Sequence, residues 1–227
     1  MDNDDTAAGG ERIDLLTEHA GEMADLVAQL RRLRSLTAAH SIDGDVTGAT
    51  EALRRVADEL ETRATPSDLR IHARWHDPHV IGTNPVIGNI NPIAPPLEPE
   101  IMPDGSIRAE LTLGHEYHGP PGCVHGGVVA MVIDEMLGVA NAVAGIPAMT
   151  VELDVRYHST TPLGQPLVFT SRVTRRDDRK IWTEAELHAG DRLCASATGM
   201  FVVPRTLAER MAAEEESRVT AEQVAGE

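Results

Sequence analysis

The stretch GPPGCVHGGVVAMVIDEMLG, residues 119–138, decides the fold of this chain. It predicts a helix that begins at His125-Gly126-Gly127 and runs to about residue 143, with apolar side chains in nearly every direction around its axis. A helix that is apolar all round is a buried helix, so we expect a sheet to wrap it. Asp134 and Glu135 lie in its middle, where an unpaired charge is costly. They are either candidates for chemistry or acids that emerge at an exposed edge.

The sequence on either side of this helix predicts an antiparallel sheet. One alternating strand, within residues 106–114, comes before the helix, and four strands joined mostly by short turns follow it. The first of these four, residues 148–159, predicts a half-buried strand. Its apolar side is formed by Val151, Leu153, Val155 and Tyr157. The order strand, helix, four strands is that of an α+β fold.

The rest of the chain divides into three regions. Residues 1–76 form an N-terminal helical extension, in which helical patterns over about 13–36 and 46–60 predict a hairpin used for packing, oligomerisation or partner binding. Residues 77–104 are rich in Pro and Gly and predict an extended segment laid over the next domain. The α+β domain covers 105–204, and a charged tail covers 205–227.

Composition limits the partners and the compartment. The formal net charge of −16 over 227 residues argues against nucleic acids and anionic membranes as partners. Two cysteines form no disulfide framework and suit a reducing compartment. No signal peptide is evident at the N-terminus, and no run reaches the ~18 apolar residues of a membrane span. We therefore expect a cytoplasmic protein without membrane insertion.

The N-terminus of the central helix offers a second chemical feature. His125-Gly126-Gly127 places unpaired N–H groups and the positive end of the helix dipole where an anion or a polarised carbonyl oxygen could bind. Asp134 follows nine residues after His125, roughly 13 Å along the axis. Both features can act on one carbonyl only if two copies pair with these helices side by side and antiparallel. The spacing therefore predicts a dimer with two equal sites.

HGG followed by this Asp, and then by MTVELDVRY…PL, resembles the hot-dog-fold acyl-CoA thioesterases. The resemblance is strongest to the branch that contains the phenylacetate-pathway thioesterases and the mammalian thioesterase superfamily members, and it covers about residues 105–203. It implies a curved antiparallel sheet around the central helix, assembled as a homodimer or a dimer of dimers.

The resemblance also implies roles for single residues. Asp134 would be the catalytic carboxylate, acting as general base or as nucleophile, and the Gly126 N–H would polarise the thioester carbonyl. His125 would orient this turn, Thr150 would position the attacking water, and Gly127 would contribute to CoA binding. Some members carry an Asn six residues before the His, where this chain has Gly119.

A basic cluster fits the phosphates of a CoA ligand. In RVTRRDDRK, the side chains of Arg176, Arg179 and Lys180 could contact CoA, although a charged hairpin tip is the simpler interpretation. We expect no metal site, including at His115 and His118, and no separate cofactor, because CoA would be part of the substrate.

The leading hypothesis is an acyl-CoA thioesterase of lipid metabolism, which hydrolyses a fatty-acyl or aryl-acyl thioester to the free acid and CoA. Two alternatives remain: a hot-dog hydratase acting on enoyl or hydroxyacyl thioesters, and a non-catalytic acyl-CoA-binding module whose N-terminal helices act as effector. The sequence leaves the acyl chain undetermined.

Overall fold

A central helix and one antiparallel sheet dominate the computed structural model, which describes residues 11–12, 20–64, 82–146, 148–206 and 208–209. In chain order the elements are β1 (Glu11–Arg12), α1 (Ala20–Ala39), α2 (Thr47–Glu61), β2 (Glu100–Ile101), β3 (Ile107–Thr112), a 3-10 turn (His115–Tyr117), α3 (Gly126–Val143), β4 (Met149–Tyr157), β5 (Pro166–Asp177), β6 (Lys180–Ala189) and β7 (Arg192–Val202). The strands lie in the order β1-β2-β3-β5-β6-β7-β4. The predicted α+β, hot-dog architecture is confirmed.

The core lies between α3 and one face of the sheet. Strands β3, β5, β6 and β7 bury alternate residues toward α3, as a sheet with one covered face requires. The largest fully buried side chains of this interface include Ile133, Met136, Leu137, Phe169 and Phe201. Among the described helices, α3 is long and apolar enough to cross a membrane, but the core helix of a globular domain meets the same criterion.

Strand β4 departs from the predicted alternation. Its ladder with β7 shifts register between Thr150 and Glu152, so Val151 is an extra, unpaired residue of a β-bulge. Val151 is 61% exposed instead of facing inward as expected. The bulge brings Thr150 onto the same face as Leu153 and Val155, because it pairs with the buried Phe201.

The segment after the described part of the helical extension is packed down, as expected, but through turns more than through extended chain. Its Val86, Ala94 and Leu97 side chains are buried. Helix α1 docks on it through two guanidinium groups. Arg31 donates to the carbonyl oxygens of Gly88 and Asn91, and Arg34 donates to those of Pro92 and Ile93 and to the Tyr117 hydroxyl.

The two N-terminal helices do not close the predicted hairpin. Helix α1 packs against the 3-10 turn, whereas no residue of α2 is buried. Helix α1 is held instead by the contacts of Arg31 and Arg34 with the main-chain carbonyls of residues 88–93. Residues 13–19, 65–81 and most of 205–227 lie outside the described residues. The division into four regions stays a prediction.

Candidate active site

The first turn of α3 is capped by the side chain that precedes it. His125 is in an extended conformation, and its Nδ1 accepts a hydrogen bond of 3.0 Å from the Gly127 N–H. Because Nδ1 acts as the acceptor of this hydrogen bond, the N–H of the ring is the one on Nε2. The main-chain N–H of His125 donates to the Tyr117 carbonyl, which fixes the loop. The cap thus leaves an Nε2–H donor at the helix N-terminus.

Gly126 presents the free donor at this turn. Its carbonyl accepts a 2.7 Å hydrogen bond from the Tyr157 hydroxyl, while its N–H has no acceptor within the part of the chain that the structure describes. A Cβ at this position would lie 3.5 Å from the Tyr157 ring, an ordinary contact. The chain's own packing therefore does not require glycine at this position.

Asp134 lies on the side of α3 that faces β4. The Thr150 hydroxyl donates to Asp134 Oδ1 at 3.1 Å, so the structure brings together the two residues that the resemblance paired. This contact depends on the bulge in β4, because a regular strand would turn Thr150 to the opposite face. A carboxylate held by a hydroxyl at the open edge of an apolar helix can accept a proton or attack a carbonyl.

The two halves of the predicted site lie apart within one chain. Gly126 and Asp134 are eight residues apart on the same helix, which corresponds to about 12 Å along its axis. One thioester carbonyl cannot contact both from a single copy. Strand β4 touches each half, since Thr150 holds Asp134 and Tyr157 holds Gly126.

Glu135, which follows Asp134 on α3, points toward Asn84 and away from Thr150. Both of its carboxylate oxygens accept from the Asn84 amide at 3.1 Å, which ties the segment after the helical extension to α3. Burial raises the pKa of Glu135, the Asn84 hydrogen bond opposes that rise, and the nearby charge of Asp134 adds to it. Glu135 is therefore a packing residue of this chain, and Asp134 is the acid that is available for chemistry.

The Glu135→Gln variant is expected to change how stability depends on pH. A raised pKa means that the folded state binds more protons than the unfolded state between the ordinary and the raised value. Wild-type stability should therefore fall as pH rises through this window, and the variant should lack that fall. We expect the variant to be as stable as wild type or more stable at pH 7, because an amide carries no charge that burial penalises there. Urea unfolding from pH 4 to 8, with Glu51→Gln as the exposed control, measures the difference; equal pH slopes in all three proteins would contradict it.

The predicted CoA contacts lie at the end of the sheet nearest to Thr150. Arg176, Ile181, Phe201 and Thr150 form one continuous row across β5, β6, β7 and β4. Strands are spaced about 4.8 Å apart, so Arg176 lies roughly 14 Å from Thr150 between Cα atoms, on the side that faces α3. Its guanidinium is exposed and makes one long hydrogen bond, of 3.4 Å, to the Asp178 carbonyl.

The other two basic residues are placed less favourably. Lys180 lies in the neighbouring row, opposite Val202, and its side chain therefore points to the outer face of the sheet. Arg179 is half-buried and donates to the Val203 carbonyl at 2.9 Å. The role of all three in CoA binding stays a prediction.

The packing around Gly119 explains why this chain has glycine where some family members carry asparagine. A Cβ there would lie 2.7 Å from the His125 Cα and 3.1 Å from its N. The two segments approach this closely because the Gly119 N–H donates to the Cys123 carbonyl in the turn that leads to the helix. The backbone of this chain therefore has no room for an asparagine at this position.

Other candidate groups do not converge on a site. Within the described ranges, no group of three or more His, Cys, Asp or Glu residues could hold a metal ion. The His115 and His118 rings stack on each other with centroids 4.6 Å apart. Cys123 contacts the Pro121 carbonyl in the turn, and nothing pairs it with His125.

Two contacts were beyond the reach of sequence reasoning. Tyr157 was expected to face the core, yet it is 51% exposed and serves the first turn of α3. The Asn84–Glu135 pair joins residues 51 positions apart, and no spacing rule signals it. A polar residue in a Pro/Gly-rich segment and a buried acid were each visible, but their partnership was not.

Comparison with known proteins defines the class. The thioesterase superfamily profile matches residues 121–196, the stretch from the turn before α3 to the middle of β7. The crystal structure of protein RHA08564, a thioesterase superfamily protein, is 34% identical and superposes with a TM-score of 0.77 over 87% of this chain and 98% of that chain. The fold and its site thus define a hot-dog protein of thioesterase type.

The chain belongs to the thioesterase superfamily. Acyl-coenzyme A thioesterase THEM4 of Xenopus laevis is 33% identical over 91 residues, 39% of this chain and 41% of that protein. Human acyl-coenzyme A thioesterase 13 is 26% identical over 85 residues, 37% of this chain and 61% of that protein. This chain therefore matches less than two thirds of the length of either relative.

Proposed function

We propose that this protein hydrolyses acyl-CoA thioesters to a free acid and CoA, with Asp134 as the catalytic carboxylate. The observation that carries the proposal is the Thr150–Asp134 hydrogen bond at the open edge of an otherwise apolar helix. The acyl-CoA thioesterase names of the relatives support the same reaction. The scheme needs no separate cofactor.

The chemistry needs one group that activates the attack and one donor for the oxyanion. As general base, Asp134 takes a proton from water while the water oxygen bonds to the thioester carbon; as nucleophile, its carboxylate bonds to that carbon first. The Gly126 N–H stabilises the negative charge that develops on the carbonyl oxygen. The C–S bond then breaks, and the CoA sulfur leaves as a thiolate that takes up a proton. In the nucleophilic route the acyl group is then held on Asp134 as an anhydride, and water cleaves this anhydride to release the free acid and restore the carboxylate.

A complete site requires two copies. Because the Gly126 turn and Asp134 are separated along α3, one copy supplies the turn and the other supplies the carboxylate and Thr150. The exposed apolar residues of edge strand β4 support such a pairing, since Met149 is 54% and Val151 61% exposed. In this dimer, Tyr157 would hold the turn of its own chain.

Arg176 is the strongest candidate for the CoA phosphates. It is exposed on the α3 side of the sheet in the row of Thr150, at a distance that an extended pantetheine arm can cover. Its planar guanidinium is suited to phosphate oxygens. Arg179 and Lys180 would add positive charge around it in an otherwise acidic protein.

Thr150→Val is expected to lower kcat about threefold to tenfold with little change in KM. The variant keeps the shape of the side chain and removes the hydroxyl that holds Asp134 Oδ1, so the carboxylate loses its fixed direction. Thr150→Ser keeps the hydroxyl and should retain most of the rate. The test compares kcat and KM for acyl-CoA hydrolysis by wild type and the two variants. Equal rates in the Val and Ser variants would contradict a role for the hydroxyl.

The proposed reaction is tested by release of free thiol from a panel of acyl-CoAs with short, long and aromatic acyl groups. Turnover of any member supports hydrolysis, and the order of kcat/KM values defines the substrate class. No turnover on any member, with acyl-CoA still bound, would overturn the proposal in favour of a binding module.

A further inference from the structure

The first turn of α3 begins with two glycines, which by themselves restrain the main chain very little. Glycine has more conformational freedom to lose on folding than any other residue. Gly126 and Gly127 are the first two residues of the helix, where the N–H groups have no acceptor within the helix. Neither has a positive φ, so both are in a conformation that glycine does not prefer over others. Contacts from outside the helix must therefore hold this pair.

Both polar groups of the peptide unit between the two glycines are engaged by side chains. Its oxygen, the Gly126 carbonyl, accepts from the Tyr157 hydroxyl at 2.7 Å. Its N–H, that of Gly127, donates to His125 Nδ1 at 3.0 Å. A hydrogen-bond chain thus runs from the Tyr157 O–H through the peptide unit to the imidazole ring. Hydrogen bonds that share one peptide unit polarise each other, so each strengthens the other.

The two side chains also lie directly against the glycine main chain. A Cβ on Gly127 would be 3.2 Å from His125 Nδ1, and a Cβ on Gly126 would be 3.5 Å from the Tyr157 ring. The imidazole and the phenol ring therefore restrain the turn from close range, in place of the side chains that the glycines lack.

Tyr157 is held by the sheet and not by the core. It is the last residue of β4 and pairs with the buried Ala195 on β7. The next main-chain N–H, that of His158, donates to the Cys194 carbonyl at 2.8 Å. The Tyr157 side chain is 51% exposed, so burial does not account for an aromatic residue here. Its polar contact among the described residues is the one with Gly126.

We propose that Tyr157 is a positioning residue for the oxyanion donor, an inference that rests on the proposed hydrolysis. Its hydroxyl holds the Gly126–Gly127 peptide unit and thereby fixes the direction of the Gly126 N–H. The N–H and the carbonyl of Gly126 are joined through one Cα, so rotation at that Cα changes the angle between them. Holding the carbonyl from a strand sets this angle before the substrate binds, which is the preorganisation that an oxyanion donor needs.

The first turn of α3 would be less well fixed without this contact. The carbonyl of the peptide unit that carries the Gly126 N–H belongs to His125, and it accepts from the N–H groups of Val128 and Val129. Those hydrogen bonds lie within the turn itself, and helix ends fray. The Tyr157 hydroxyl connects the turn to the sheet, the same strand that holds Asp134 through Thr150. Strand β4 therefore directs both groups of the proposed site.

Tyr157→Phe tests the proposal, because it keeps the ring and removes the hydroxyl. We expect kcat for acyl-CoA hydrolysis to fall about threefold to tenfold, with KM within about twofold of wild type. Hydrogen exchange of the Gly127 amide, measured by NMR without substrate, should become about threefold to tenfold faster, because its bond to His125 opens more often. Ser159→Ala is the matched control. It removes a hydroxyl that donates to the Leu193 carbonyl at 2.9 Å, and it should change neither value.

A double-mutant cycle tests whether Tyr157 and His125 act on the same peptide unit. His125→Ala removes the acceptor of the Gly127 N–H, so exchange of this amide should be fast in that variant. Adding Tyr157→Phe should then increase the exchange rate by less than about twofold. The loss of kcat in the double variant should be smaller than the product of the two single losses.

Three results would overturn the positioning role. Faster exchange with unchanged kcat in Tyr157→Phe would mean that the contact is structural only. A lower kcat with unchanged exchange would mean that the hydroxyl acts elsewhere, and losses that simply multiply in the cycle would mean that the two side chains act independently. A wild-type protein that hydrolyses no acyl-CoA would overturn the proposed function instead, and with it this role, whatever the exchange rates are. Circular dichroism verifies that each variant keeps the fold.

Discussion

Asp134→Asn is expected to lower kcat for acyl-CoA hydrolysis by at least about 100-fold, with the fold intact. Asparagine keeps the shape of the side chain, and its Oδ1 can still accept from the Thr150 hydroxyl, so the local structure should persist. What it loses is the ability to accept a proton or to attack the thioester carbon. Thiol release and thermal unfolding, measured on the same preparations, separate these effects.

The control for this variant is its neighbour on the helix. Glu135→Gln removes a carboxylate at the next position, but that group faces Asn84 and not Thr150. It should retain most of the wild-type rate. A similar loss in both variants would show that the negative charge of this part of α3 matters, and not Asp134 in particular.

Gly119→Asn should impair the protein, although it restores a residue that the resemblance leads one to expect. The new Cβ would lie 2.7 Å from the His125 Cα, so the turn that precedes α3 must open. We expect a loss of about 1–3 kcal/mol in stability, typical of overpacking. Since His125 caps the turn that presents the Gly126 N–H, kcat/KM should fall about tenfold or more.

The matched control is Gly48→Ala, which adds a Cβ where no atom lies within 4 Å. It should leave both stability and kcat/KM nearly unchanged. A Gly119→Asn variant that is as stable as wild type and faster would contradict the expectation. It would mean that the turn can adapt and that an amide can act beside His125 in this chain.

The central helix was predictable because two independent signals agree on it. Apolar residues on all sides require burial, and the His125-Gly126-Gly127 sequence marks its start, so the predicted helix of about 126–143 coincides with α3. The separation of the turn from Asp134 also follows from the sequence, since helical rise is fixed. The sequence did not predict the contacts that orient these two groups, which are the Tyr157 hydrogen bond to Gly126 and the Thr150 hydrogen bond to Asp134.

Those contacts depend on local irregularity and on tertiary pairing. The alternation in residues 148–159 placed Val151 inward, whereas the bulge turns it out and Thr150 in. Arg31 and Arg34 dock α1 by donating to main-chain carbonyls. Every residue has such a carbonyl, so the sequence of residues 88–93 does not indicate that α1 binds there.

The bulge at Val151 matters for the direction of the Thr150 side chain more than for the pairing of the sheet. Every other residue of β4 could keep its ladder partners if Val151 were absent, so the sheet does not need it. If Val151 instead took the ladder place opposite Phe201, a regular strand would turn the Thr150 hydroxyl to the outer face, and Asp134 would lose its only side-chain donor among the described residues. By leaving Val151 out of the ladder, the bulge therefore keeps the Thr150 hydroxyl beside the carboxylate for which we propose catalysis.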